Sequence, residues 1–337
     1  MAEQPLLSLI ITSYSTQRIK DIFELLDSIK DQTYSKIENI IVVERSKELL
    51  EQVKSYVSTK SISNVIVVFN DGVPGLSAAR NLGIEHAKGK IIGFVDDDVI
   101  LFPDWGEETV KAFEDESVIG VTGPALPLWE QDGMSWFPEE FYWILSCTAW
   151  FNCDELKDVR NAWGMNMAFR REAFDLGERF SPKFGLCSSS RSGWCDPPSE
   201  DVDLSLRVKR RTAKRIIYNP YMRVNHKVHG HRLTQKFITQ RAYSVGYQRR
   251  MLKQLYNEYD KDKAFLNQEH QLLKRILTKL LPSLLKDLFR NPVVAWRRFQ
   301  TSVTVLLFVA LGYYSHLLPI LKSGIQPISI KESGVSE

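Results

Sequence analysis

Three carboxylates stand in a row at Asp96-Asp97-Asp98, directly after the apolar run Ile91–Val95. Adjacent carboxylates repel one another unless a cation lies among them. In a D-x-D turn the first and third side chains can point the same way and share a divalent ion with a diphosphate. Oxygen ligands of this kind suit Mg2+ or Mn2+. The same triple could also be a solvated acidic loop. A second acidic group, Glu200-Asp201-Val202-Asp203, precedes Leu204, Leu206 and Arg207. It reads either as the first turn of a helix, where the macrodipole favours negative charge, or as the source of a general base for an acceptor hydroxyl. The stretch MRVNH ends at His226 and is followed by His229 and His231. No cysteine or H-E-x-x-H partner supports zinc. One histidine completing an Asp-rich cation site is the more economical reading.

Elements that could position these groups alternate through the first hundred residues. Apolar runs at Ser8–Thr12, Asn39–Val43, Val65–Phe69 and Ile91–Val95 read as buried strands. Between them, Ile19–Ile29, Leu49–Val57 and Leu76–Ala87 carry apolar residues at helical spacing. Four strands alternating with helices predict an α/β layer with a parallel sheet. Ligands of such sheets bind beyond the carboxyl ends of the strands. Thr12, Ser13, Glu44, Asn70, Asp71 and Asp96 to Asp98 should therefore share one cleft. The pattern from about 120 to 200 is irregular and rich in tryptophan, which predicts a mixed second half supplying an acceptor pocket. From 233 onward it is helical.

The 337 residues carry a net charge of only +3, yet the charge is divided. Residues 1–204 carry a net −15 and residues 205–300 a net +18. A basic block meets nucleic acid, an anionic membrane or a phosphorylated substrate. The acidic front half and an apolar tail argue against nucleic acid. A mean hydropathy of −0.22 excludes a polytopic membrane protein. Leu272–Phe289 places leucines at three–four spacing with Lys274, Arg275, Lys279 and Lys286 between them, the pattern of a basic helix lying in a membrane interface. Val303–Leu321 has no formal charge and as a helix would extend roughly 28 Å, about the bilayer core. Arg297 and Arg298 before it place the catalytic side in the cytoplasm. The alternative for both segments is a helix buried against its own domain. The N-terminus lacks a basic stretch before its apolar run, so no signal peptide is expected. Cys147, Cys153, Cys187 and Cys195 form no C-x-x-C pair and are expected as free thiols, with Cys187 and Cys195 the one pair that could close under oxidation.

Five segments together resemble family 2 glycosyltransferases of the GT-A fold. They are SLIITSYS, IENIIVVERS and VPGLSAARNLGIEHAKGKIIGFVDDDV, then WGMNMAFRREAF with PSEDVDLSLRVKRRTAKRIIYNP. The resemblance covers about residues 6–230. It implies a GT-A domain at 1–230, with the nucleotide-sugar half at 1–120 and the acceptor half at 121–230. A helical membrane-associated region follows at 231–337, with the candidate span at 303–321. It further implies inverting transfer of a sugar from a nucleoside diphosphate, UDP- or GDP-linked, with Mg2+ or Mn2+. By position, Thr12, Ser13, Tyr14, Glu44, Asp71, Arg80 and Asp97 would bind the donor. Asp96, Asp98 and His226 would hold the metal, with Asp98 the most direct ligand. Asp201 would be the base, and Trp163, Asn166, Glu200 and Arg207 would lie on the acceptor side. Two departures stand out. The first strand ends Thr-Ser-Tyr-Ser where Pro-Thr-Tyr-Asn is common, and the second ends Glu44-Arg45-Ser46 where Asp-Asp-Gly-Ser is common. The basic, apolar C-terminal third resembles members that act on polyprenyl-linked lipids. Polysaccharide or soluble acceptors, and a nonenzymatic nucleotide-sugar-binding protein, are the competing readings. A nucleotidyltransferase would need a G-x-G-x-R loop after the first strand, and none is present.

Overall fold

The computed structural model describes residues 4–148, 151, 153–182, 199–256 and 267–317. The four expected strands form as β1 (Leu7–Ser13), β2 (Ile37–Glu44), β3 (Val65–Asn70) and β4 (Ile91–Asp96). They pair in parallel in the order β3-β2-β1-β4. Helices α1 (Ile19–Lys30), α2 (Lys47–Thr59) and α3 (Leu76–His86) make the crossovers. Each turns an apolar stripe inward. In α1 that stripe is Ile22, Leu25, Leu26 and Ile29, all buried. Each such side chain contributes roughly 1.5–3 kcal/mol by leaving water. Ser46 caps α2 by accepting from the Leu49 amide. Gly75 precedes α3 at φ +119°, a conformation that penalises any side chain.

Beyond β4 the sheet becomes mixed. It continues through β5 (Val99–Leu101), α4 (Trp105–Lys111), β6 (Val118–Thr122), β7 (Ala125–Trp129), β8 (Lys157–Asp158) and β9 (Asn166–Arg170). Helix α5 (Arg171–Asp175), α6 (Glu200–Thr212), β10 (Arg215–Tyr218) and β11 (Val224–Val228) complete this half. The large sheet has the order β3-β2-β1-β4-β9-β6-β10-β8, and β5-β11-β7 form a second, small sheet. Strand β9 runs antiparallel between β4 and β6. Register then positions the chemistry. Thr12 pairs with Asp96 and Glu44 with Asn70, so the polar strand ends align in one row. In the small sheet His226 pairs with Val99, which sets its ring beside Asp98.

The C-terminal helices are α7 (Gln235–Tyr256), α8 (Asn267–Arg275), α9 (Leu281–Arg290) and α10 (Pro292–Tyr313). They pack on the irregular segment Glu139–Leu145, with Phe141, Ile144 and Leu145 in a shared core with Ile238, Ile276 and Val305. The run Leu272–Phe289 is helical throughout, with a wide π-turn at Ile276–Leu280 between α8 and α9. Its apolar residues fall on two faces. Ile276, Leu280 and Leu284 are buried, while Leu273, Leu277, Leu281 and Leu285 are exposed. One expectation changes here. The charge-free run does not start its own helix at Val303. Asn291 caps α10 and Pro292 opens it, so Arg297 and Arg298 lie inside the helix. Residues 318–321 of that run, like Cys187, Cys195, Trp150 and Trp194, lie outside the described residues. Helix α10 is long and apolar enough to cross a membrane. It also runs against α7 at backbone contact. A Cβ at Gly312 would fall 2.0 Å from the Tyr243 carbonyl oxygen, and one at Gly246 would fall 2.0 Å from that of Val309.

Candidate active site

Asp98 is fully buried just past the end of β4. Its Oδ2 accepts from Arg232 Nη2 at 2.6 Å and from Arg18 Nη1 at 3.1 Å. Burial opposes ionisation, but the facing Arg232 and Arg18 guanidinium groups hold the carboxyl well below its usual range. His226 is also fully buried, and burial pushes its pKa down, which keeps the imidazole neutral with a lone pair to offer. Its Nε2 lies 3.4 Å from Asp98 Oδ1. Among the described residues, Asp98 Oδ1 and both ring nitrogens of His226 lack a hydrogen-bond partner. One ligand atom each from Asp96, Asp98 and His226 lie within 4.8 Å of one another. Orphaned buried acceptors are costly unless something binds them. Two carboxylates and a neutral imidazole fit Mg2+ or Mn2+.

The donor-side residues divide into two groups. Asp97 is buried and accepts from Ser13 Oγ and from Arg18 Nη1, both at 2.5 Å. Burial raises its pKa to about 6 even against the Arg18 charge. Asp97 and Ser13 thus hold Arg18 in place rather than facing a ligand directly. Tyr14 is exposed, with the Arg18 guanidinium 6.0 Å from its ring centre. Glu44 accepts from the Gly75 amide at 2.7 Å and so fixes the loop entering α3. Asn70 bonds the Gly72 amide and the Val73 carbonyl, beside exposed Asp71. Thr12 is half-buried in the same row. Arg80 is not free for a diphosphate. It is 2% exposed and donates to Glu200 at 2.8 Å, Asp96 at 3.2 Å and the Gly164 carbonyl at 2.9 Å. It clamps α3 to β4 and to the start of α6.

Glu200 and Asp201 open α6, as the macrodipole favours. Burial and the adjacent Asp201 raise the Glu200 pKa, with Arg80 opposing. Asp201 Oδ2 accepts from the Gly164 amide at 2.9 Å and Oδ1 from Val202 at 2.8 Å. Both line a cavity of about 330 Å3, together with Arg80, Asp96 and Trp163. Its far wall comes from the C-terminal helices, with Arg241 and Arg249 of α7, Ile276, and Val305 and Leu306 of α10.

Two acceptor-side expectations fail. Asn166 is wholly buried. It accepts from Trp105 Nε1 and donates to the Pro124 and Met222 carbonyls, so it braces strands instead of facing the cavity. Arg207 donates to Asp203, Glu178 and the Arg179 carbonyl and does not line the cavity. Three functional candidates were not foreseen. Arg18 follows β1 in a loop that gave no signal beyond its basic residue. Arg232 sits next to the histidines that drew attention. Arg241 lies in a mixed helical pattern without any motif.

A parallel β3-β2-β1-β4 block, an antiparallel strand beyond it and an acidic cluster at the strand ends define a GT-A-like glycosyltransferase. The model of the family described as Glycosyl transferase family 2 matches residues 8–177, and the chain belongs to that family. It is 28% identical over 315 residues to the glucosyl-dolichyl phosphate glucuronosyltransferase of Haloferax volcanii, covering 93% of this chain and 96% of that protein. A putative glycosyltransferase of Bacillus subtilis, EpsH, is 33% identical over 115 residues, which cover 34% of this chain and 32% of EpsH. Among solved structures, the mannosyltransferase PcManGT from Pyrobaculum calidifontis, in complex with GDP-Man and Mn2+, superposes with a TM-score of 0.60. That match covers 93% of this chain and 88% of PcManGT at 17% identity, a likeness of fold. The protein is a glycosyltransferase.

Proposed function

We propose that the protein transfers a sugar from a nucleoside diphosphate, with inversion, to a hydroxyl of a polyprenyl-phosphate-linked acceptor at a membrane surface. The carrying observation is the cavity that joins Asp96 and Asp201 at one end to apolar α8 and α10 side chains at the other. A soluble acceptor has no use for that second wall. The relative named as acting on glucosyl-dolichyl phosphate supports the same class of acceptor.

Asp96, Asp98 and His226 would hold Mg2+ or Mn2+. When bound, the cation offsets charge on the departing diphosphate. Arg18 and Arg232 keep Asp98 ionised, and Asp97 with Ser13 holds Arg18 in place. Asp201 takes the acceptor's proton as its oxygen bonds to the anomeric carbon, while the bond from that carbon to the diphosphate oxygen breaks on the opposite face. The proton stays on Asp201 and the electron pair leaves with the diphosphate. A carboxylate in this role needs no covalent enzyme intermediate. Thr12, Tyr14, Glu44 and Asp71 line the cleft proposed for the nucleoside.

The membrane reading takes the interfacial form. Phe289 is 89% exposed and Val293 76%, and Leu277, Leu285 and Trp296 are also bare. Lys274, Lys279, Lys286 and Arg290 interleave with them. Because α10 contacts α7 backbone to backbone, a spanning α10 would draw Arg249, Arg250 and Lys253 into hydrocarbon. Each would cost at least roughly 2.5 kcal/mol at the bilayer centre. An in-plane α9–α10 hairpin avoids this, with the catalytic half on the cytoplasmic face.

The test is transfer by the full chain in detergent micelles, from UDP- and GDP-sugars, with Mn2+ or Mg2+. Turnover on a polyprenyl-phosphate-linked monosaccharide and none on the free oligosaccharide is expected. Preference for the free oligosaccharide would defeat the lipid-linked reading.

A further inference from the structure

The cavity contains a cation that the proposed chemistry has not yet used. Arg80 is committed to Asp96 and Glu200, and Arg18 and Arg232 to Asp97 and Asp98. Arg241 lines the same cavity and, among the described residues, makes no ion pair or hydrogen bond. Its electrostatic partners are Arg232, which repels it, and Glu200, Asp201 and Asp96, which attract it. Arg241 is half-buried in the cavity wall, so its guanidinium is within reach of an anion and can give it charge-assisted hydrogen bonds. Arg249 lies one side further along the same helix and the same cavity wall.

Chemistry separates two anions that could come here. An ionised phosphate oxygen is already a nucleophile and needs no base. A hydroxyl does need one, and Asp201 stands ready to supply it. A substrate that requires both Asp201 and a free guanidinium therefore carries its reacting hydroxyl and its phosphate at different points. The cavity offers a base, cations and an apolar wall including Leu273 and Leu306, which line it and also reach the exposed apolar surface. These match hydroxyl, phosphate and isoprenoid chain. We infer that Arg241 forms the subsite for the phosphodiester that joins the acceptor's sugar to its lipid. This rests on the lipid-linked transfer proposed above and adds the residue that selects for the phosphate.

The test compares two acceptors carrying the same sugar in phospholipid-free neutral micelles: a prenyl-phosphate-linked one and a neutral alkyl glycoside. Arg241→Gln should raise KM for the phosphate-linked acceptor about 10- to 100-fold, the loss of one charge-assisted hydrogen bond. Turnover on the alkyl glycoside and KM for the nucleotide sugar should stay within about threefold, a change too small for a lost charged contact. If the Gln variant loses turnover on the neutral glycoside, Arg241→Met repeats the comparison with similar volume and no buried polar group. An unchanged KM for the phosphate-linked acceptor overturns the subsite while leaving lipid-linked transfer standing. Equal loss on both acceptors in both variants makes Arg241 structural and overturns it too. A raised donor KM reassigns Arg241 to the diphosphate. If the wild-type chain ignores the phosphate-linked acceptor, the lipid-linked reading falls and takes the subsite with it.

Discussion

Replacing Asp201 with Asn removes the proposed proton acceptor, and its structural side effect can be worked out beforehand. Each carboxylate oxygen accepts one backbone amide, Gly164 at 2.9 Å and Val202 at 2.8 Å. An asparagine keeps one acceptor and turns an NH2 group toward the other amide. One backbone donor is then left facing a donor, at a cost of about 1–3 kcal/mol. At about 2–4 °C per kcal/mol for a domain of this size, the melting temperature should drop by about 2–12 °C. The chemical effect should be larger. Losing a positioned base lowers kcat by about 10²–10⁴-fold. Donor binding, read by titrating a nucleotide sugar with Mn2+, should change little, because the hydrogen bonds of Asp201 go to the Gly164 and Val202 amides and not to Thr12, Glu44 or Asp96. Steady-state transfer, donor titration and thermal melting on one preparation separate these effects. A kcat loss below about tenfold would refute the base assignment, since it is less than general-base catalysis supplies. Donor affinity falling in step with kcat would instead mark Asp201 as a helix cap alone.

Asp98→Asn should abolish Mn2+-dependent turnover and make donor affinity insensitive to Mn2+; unchanged metal-dependent turnover would remove Asp98 from the metal site. Gly312→Ala sets a methyl 2.0 Å from the Tyr243 carbonyl oxygen, so α7 and α10 must separate. Overpacking of this kind costs at least about 1–3 kcal/mol, and transfer to the lipid acceptor should fall while donor binding survives. The Cys147 thiol is buried and pushed up to about 12, chiefly by desolvation. Mass-spectrometric mapping after alkylation of the folded protein at pH 8 should find Cys147 unmodified, and rapid labelling there would show that the core around Phe141 and Leu145 opens. The full chain should float with anionic vesicles and be released only in part by salt, because apolar burial adds to the screened charge term. A chain that stays soluble beside anionic vesicles would defeat the interfacial reading.

The first hundred residues were legible because a doubly covered parallel strand must be apolar along its whole length. Ile40, Ile41, Val42 and Val43 are all 0% exposed, and no alternation blurs the pattern. Polar residues at the ends of such runs then had one place to go. His226 was different. Its type suggested a ligand, but its position beside Asp98 comes from pairing with Val99 across more than a hundred residues. Periodicity carries no information about that register. The misplaced residues fail for one shared reason. Asn166 and Arg207 have polar side chains in segments resembling an acceptor site, but tertiary neighbours consume them first. Arg18 and Arg232 err the other way. Surface-like arginines in sequence become the counter-charges of buried Asp98, a role set wholly by contacts remote in the chain.

The division of charge along the chain now has a physical account that neither half supplies alone. The acidic front half concentrates carboxylates past the end of β4 and at the start of α6, where Asp98 and Glu200 would be unstable without cations. Part of the basic back half is spent there, since Arg232 reaches Asp98 and Lys227 pairs with Asp21 and Glu24. Much of the rest lies on α7 through α10, where Lys274, Lys279, Lys286 and Arg290 stand between apolar side chains. Arg297 stacks on Trp136 at 3.9 Å, which keeps one of those cations at the edge of an aromatic surface instead of in bulk water. Helices of this composition would be poorly covered in solution and well covered on an anionic bilayer. In the proposed interfacial placement the cavity opens where those two environments meet. A substrate with a polar, reactive head and a long apolar tail is the kind that can occupy both at once.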